Sequence, residues 1–138
     1  MRDDDVETIG WQLTAFARRA RALAERLHPE LPLASYSLLA HLAETGGCRA
    51  TDLAAYFLLD KSTISRQIGD LERLGLVERQ VDPANQRVKV LRPTEAGLRK
   101  LAEVGERQRT AFRSRLDSWS DADLAAFARY LERYNAAD

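Results

Sequence analysis

Only one stretch of this sequence, residues 76–92, abandons the three-and-four spacing of apolar residues that marks helices. Leu76-Val-Glu-Arg-Gln-Val81 and Arg87-Val-Lys-Val-Leu-Arg92 are rich in β-branched residues, and the second alternates charged with apolar side chains. Asp82-Pro-Ala-Asn-Gln86 between them is turn-forming. The expectation is a β-hairpin, the only strand signal in a chain that otherwise reads as helix after helix.

The first helix is expected over about residues 5–28. Val6, Ile9, Leu13, Phe16, Ala20, Leu23 and Leu27 alternate spacings of three and four, the seam of a packed helix. Arg18, Arg19, Arg21 and Arg26 largely occupy its other side. Pro29 and Pro32 end it, because proline lacks an N–H and disfavours helix at the residue before it. A second helix runs from about Tyr36 to Glu44 and stops at Gly46-Gly47, and a short third one covers about Thr51 to Phe57. A fourth opens after Asp60 as N-cap and closes before Gly75 as the C′ residue. Thr94 caps a fifth. Ser120-Asp-Ala-Asp123 resembles a capping box for a sixth, whose Leu124, Phe127, Leu131 and Tyr134 form another seam.

The 138 residues are the size of one domain, and 45% hydrophobic with 30% charged suits a soluble globular chain. No apolar run approaches the ~18 residues that span a bilayer, and the charged start is not a signal peptide. One cysteine makes no internal disulfide, which fits a cytoplasmic location. Net charge is zero, with 21 basic and 21 acidic side chains, yet residues 86–115 hold nine basic and three acidic ones. A neutral total can therefore carry a basic face, so the balance neither requires nor excludes a nucleic-acid partner. No phosphate-binding loop, dinucleotide-binding glycine pattern, nucleophile elbow or catalytic Cys/His spacing is present, which excludes the recognisable enzyme classes. His28, His41 and Cys48 do not have zinc-ligand spacing, and Asp3-Asp-Asp5 suits a helix start, so neither metal nor cofactor is expected.

Residues 36–92 form a unit: helix, Gly-Gly turn, short helix, tight link, longer helix, hairpin. In a helix-turn-helix one helix props a second into the major groove, so the second must be apolar behind and small, polar or basic in front. Ile64, Ile68 and Leu71 supply the back. Arg66 can fork onto guanine, Lys61 is a phosphate partner, and Ser62, Thr63, Ser65, Gln67 and Arg73 are available to phosphates or base edges. Gly69 would permit close approach of a neighbouring backbone. The same pattern also suits an ordinary solvated helix face. As a wing, the hairpin would bring Arg87 and Lys89, two residues apart on one strand face, to the flanking minor groove. A solvated surface hairpin is the plainer alternative.

Leu53-Ala54, Ser62-Thr-Ile-Ser-Arg66, Leu71-Glu72, Gly75-Leu-Val-Glu-Arg79, Asp82-Pro83, Arg87 and Leu91-Arg-Pro-Thr94-Glu-Ala-Gly97 resemble, in order, the core pattern of the MarR family of winged helix-turn-helix regulators. The resemblance covers nearly the whole chain. It departs at Asn85, where the wing has a second aspartate, at Gln86, where a basic residue is common, and at Pro93, which splits the Leu-Thr pair. The resemblance implies a mainly α fold with a small β-hairpin, a winged helix-turn-helix with flanking N- and C-terminal dimerisation helices. Residues 1–33 and 94–138 would dimerise, and 34–93 would form the DNA-binding lobe. It implies a homodimeric repressor on a palindromic operator of double-stranded DNA, with Arg66 in the major groove, Arg87 in the minor groove and Asp82 orienting the wing. It further implies release by a small lipophilic or phenolic effector, for which Trp11, His28, Tyr36 and Phe57 are candidate pocket residues; aromatics at such positions also suit plain core. The two seams suit a two-fold dimer but could also bury against each other within one subunit. Two alternatives stay open: a winged-helix module that binds protein and not DNA, and a redox-sensing regulator in which Arg49 favours the Cys48 thiolate.

Overall fold

The computed structural model describes residues 1–137. It is mainly helical: α1 (Arg2–Leu27), α2 (Leu33–Thr45), α3 (Ala50–Phe57), α4 (Lys61–Arg73), β1 (Val77–Asp82), β2 (Asn85–Pro93), α5 (Glu95–Leu116) and α6 (Asp121–Asn135). The chain forms two compact units, Met1–Gly105 and the segment from Glu106 onward.

The core of the first unit is aliphatic. Leu31, Leu38, Leu39, Leu42, Leu53, Ile64, Ile68, Leu71, Leu76, Val77, Leu91 and Val104 are buried together. Leu38, Leu39 and Leu42 put three of them on α2, which packs against α1, α4 and β2, while α3 and β1 pack on α4. Ile64, Ile68 and Leu71 are the buried face of α4, as their spacing requires.

Local chemistry sets the helix ends. Gly46 closes α2 in the left-handed conformation at φ +78°. Gly75, at φ +73°, follows α4; its N–H bonds Glu72 O and that of Leu76 bonds Leu71 O, a Schellman ending with Leu76 buried behind it. Ser120 accepts from the Asp123 N–H at 3.1 Å and opens α6. In one respect the proline signal reads differently in the structure. Pro32 separates α1 from α2 and is also the N-cap of α2, its carbonyl accepting from the Tyr36 N–H, so α2 begins at Leu33 and not near Tyr36. The missing N–H costs nothing at a helix start.

The hairpin is antiparallel, with Val77 opposite Pro93 and Val81 opposite Lys89. The ladder then jumps to Asp82 opposite Asn85, leaving Gln86, Arg87 and Val88 out of register at the tip. A third edge comes from one residue: Cys48 exchanges both backbone hydrogen bonds with Leu91, at 3.1 and 2.8 Å.

The Thr94-x-x-Gly97 pair fastens α5 to the end of α4. Thr94 accepts from the Gly97 N–H at 3.0 Å, donates its hydroxyl to Gly75 O at 2.7 Å, and donates its N–H to Leu76 O at 3.0 Å. Pro93 ends β2 directly before Thr94, whose cap is formed although Pro93 splits the Leu-Thr pair. Gly97 is buried, and a Cβ there would lie 2.1 Å from Leu76 O. Gly97→Ala is therefore expected to destabilise the chain by about 1–3 kcal/mol through overpacking. That outweighs the roughly 1 kcal/mol by which alanine favours a helix interior. A urea melt should show a lower midpoint at unchanged slope.

Candidate nucleic-acid interface

Asp60 starts α4. Its carboxylate accepts from the Thr63 N–H at 2.7 Å and from the Ser62 hydroxyl at 3.0 Å. The Thr63 hydrogen bonds, then that from Ser62, hold the carboxyl below the usual carboxylate range, with Arg66 adding a smaller electrostatic contribution. A depressed folded-state pKa contributes stability above the ordinary carboxylate value that is lost as pH falls through the folded one. Asp60→Asn should keep the cap and remove that dependence. Wild type and variant should therefore differ in melting temperature near neutrality, and the difference should close in acid.

Ser62, Arg66, Gly69 and Arg73 follow one another at helical spacing along the side of α4 opposite Ile64, Ile68 and Leu71. Ser62, Arg66 and Arg73 are exposed, with Lys61 and Ser65 exposed beside them. Among the described residues, the side chains of Arg66 and Lys61 have no hydrogen-bond or ion-pair partner. Arg73 is held by Asp70, one turn back on α4. Arg66 is thus the uncommitted fork of this face.

Two of the expected contacts sit differently. Thr63 is half-buried and its backbone serves the cap. Gln67 lies beside Ile64 and Leu71, half-buried, with its Oε1 buried and lacking a hydrogen-bond partner. It flanks the core and not the Arg66 face. Among the described residues no neighbouring backbone approaches Gly69, where a Cβ would meet only Arg73 Nη1 at 3.5 Å.

On the wing, exposed Arg87 and Lys89 alternate with half-buried Val88 and Val90. The side chains of Arg87 and Lys89 have no polar partner among the described residues. Asp82 accepts from the Ala84 N–H at 2.9 Å and shapes the turn. Asn85, standing where a second aspartate was expected, accepts from the Arg87 N–H at 3.1 Å and so braces the backbone that carries Arg87. Arg79 on β1 pairs with Glu72 on α4 at 3.1 Å, tying helix to wing. Both residues stood in the sequence pattern, but nothing in their spacing marked them as partners.

The four candidate pocket residues do not converge. His28 is fully buried, hydrogen-bonded through Nδ1 to Leu31 O at 2.6 Å, with its ring 5.7 Å from that of Tyr36. Phe57 packs instead with His41 and Tyr56, at 5.6 and 5.0 Å. Trp11 is exposed on α1, and at ~1.5 Å rise per residue it lies about 25 Å along the helix from His28. The Cys48 thiol lacks the activation that the redox alternative requires: burial, then Asp52, push its pKa up, against a smaller opposite effect of Thr45. A raised pKa disfavours the thiolate that redox chemistry requires.

The MarR family model matches residues 30–88. The chain is 37% identical over 134 residues to the uncharacterized HTH-type transcriptional regulator YxaD of Bacillus subtilis (strain 168), covering 96% of this chain and 94% of that one. A MarR family protein from Bacillus stearothermophilus superposes with a TM-score of 0.82 at 26% identity, over 97% of this chain and 95% of the other. Bordetella bronchiseptica BpsR, whose DNA binding is regulated by 6-hydroxynicotinic acid, shares the fold with a TM-score of 0.77 at 23% identity, over 94% of both chains. With its helix-turn-helix and wing in the expected order, the chain belongs to the MarR family of transcriptional regulators, which are not enzymes.

Proposed function

We propose that this regulator acts as a homodimeric repressor of a palindromic operator. In this reading α4 enters the major groove and the wing the adjacent minor groove. The observation that carries it is the uncommitted Arg66 on the outer face of α4, tied through Glu72–Arg79 to a wing whose Arg87 and Lys89 are equally uncommitted. Arg66 is assigned to a guanine, and Lys61, Ser62, Ser65 and Arg73 to the phosphates and edges around it. Arg87 and Lys89 are assigned to the minor groove.

Pairing of two chains is supported by the apolar stripes. Val6, Ile9 and Phe16 of α1 are exposed, and Phe127, Leu131 and Tyr134 of α6 are exposed as well. Large apolar surfaces of this kind mark interaction sites. Residues 1–33 and 94–138 are assigned to the dimer and 34–93 to DNA. Release by a small-molecule effector is assigned on the likeness to BpsR; such an effector works only through unequal affinity for the two forms. Among the described residues no helix is long and apolar enough to cross a membrane.

Hydroxyl-radical footprinting on DNA upstream of the chain's own gene tests the dimer. Two protected half-sites about 34–36 Å apart, or a multiple of that, are expected. A single unpaired footprint would contradict the two-fold reading. No protection at low salt would favour a protein-binding module instead.

A further inference from the structure

Among the described residues Leu58 is the only non-glycine with a positive φ, at +54°, and its side chain is 91% exposed. It closes α3 in the left-handed conformation: its N–H bonds Ala55 O at 3.3 Å, and the Leu59 N–H bonds Ala54 O at 3.0 Å. Glycine or asparagine fits such a position, whereas the Cβ of leucine crowds the following carbonyl. Burial does not offset that strain, because the side chain stands in water. A local rule broken without compensation inside the lobe is the mark of a functional position.

The place of Leu58 in the fold says what covers it. It lies in the turn between α3 and α4, two residues before Asp60, the N-cap of α4. Two extended residues span at most about 7 Å, less than the ~12 Å width of a major groove. A helix-turn-helix meets base edges with the N-terminal residues of its second helix, here the exposed Lys61 and Ser62. Leu58 is therefore carried to the wall of the same groove. The apolar surface available there is that of thymine 5-methyl groups and of the deoxyriboses.

We propose that Leu58 is a DNA-contacting residue whose side chain packs on apolar operator surface, a thymine methyl or a deoxyribose, in each half-site. The left-handed backbone holds the leucine out of the lobe, where DNA covers it. The assignment rests on entry of α4 into the major groove as proposed above.

The test combines thermal melting with anisotropy titrations on the duplex from upstream of the chain's own gene, for Leu58→Gly, Leu58→Asn and Leu58→Met. Glycine and asparagine relieve the backbone, so melting temperatures should rise by about 3–5 °C for a chain of this length. Operator affinity should nevertheless fall about tenfold or more, since both subunits of the dimer lose an apolar contact. The salt slope should stay unchanged, because no phosphate contact is lost. Leu58→Met keeps a long apolar side chain and should retain most of the affinity. Duplexes with deoxyuridine in place of thymidine distinguish the two surfaces. A loss for wild type that Leu58→Gly does not share assigns the methyl group, and a loss for neither assigns the deoxyribose.

Arg66→Ala separates this inference from the reading beneath it. Discrimination lost in Arg66→Ala but kept in both Leu58→Gly and Leu58→Asn would overturn the role of Leu58 and leave that of α4 standing. Discrimination kept in all three would overturn both. Lower melting temperatures in Leu58→Gly and Leu58→Asn alike would mean that the leucine serves the fold, and their sedimentation as single chains would place it between subunits; either result contradicts the proposal.

Discussion

Arg66→Ala is expected to abolish discrimination between operator and scrambled DNA while leaving the fold intact. Arg66 is exposed, has no hydrogen-bond or ion-pair partner among the described residues, and lies on the face of α4 away from the buried Ile64, Ile68 and Leu71. Its removal therefore leaves no buried group unsatisfied, and thermal stability should hardly change. A bidentate arginine–guanine contact is worth about 1–3 kcal/mol, and a two-fold dimer makes it twice. Operator affinity should fall by about 2–6 kcal/mol, roughly 30-fold to 10⁴-fold. Salt dependence separates two roles of the side chain. Loss of a base contact leaves the slope of log K against log salt nearly unchanged, whereas loss of a phosphate contact lowers it by about one per contact. The account expects the first.

Leu131→Glu is expected to leave each chain folded and to separate the proposed dimer. Leu131 is exposed on α6 within the single chain, so glutamate there meets water and the helix persists. In a dimer that covers the stripe the same carboxylate would be buried without a partner, a cost of several kcal/mol that two-fold symmetry doubles. Sedimentation should show single chains with unchanged helix content. Operator binding should collapse even though Arg66 is intact, because two half-sites held together bind far more tightly than either alone. A variant that still sediments as a dimer would remove α6 from the interface.

The parts of the fold that were legible in the sequence are those fixed within a few residues. Asp60, Gly75, Thr94 and Ser120 act at helix ends through hydrogen bonds to their own neighbours, so their positions alone announced them. The buried face of α4 was legible because its spacing follows from helical geometry. Features decided by distant partners were not. The Cys48–Leu91 pairing involves a single residue on one side and carries no period of its own. The register jump that displaces Arg87 depends on where Asp82 pairs, which the turn residues do not specify. Gln67 looked like its polar neighbours until the helix face was resolved. The four aromatic candidates shared only a chemical type, and residue type does not encode proximity. Asn85 is instructive in the opposite sense: the change from aspartate removed a charge but kept the acceptor that the wing backbone uses.

The central claim is sequence-specific DNA recognition through α4, and fluorescence anisotropy tests it most directly. Purified protein would be titrated onto a labelled duplex from upstream of its own gene and onto a scrambled duplex, each at two salt concentrations, beside Arg66→Ala. The account predicts tight, salt-dependent binding to the first duplex that Arg66→Ala brings down to the level of the second. Equal affinity of wild type and Arg66→Ala for the upstream duplex would contradict it.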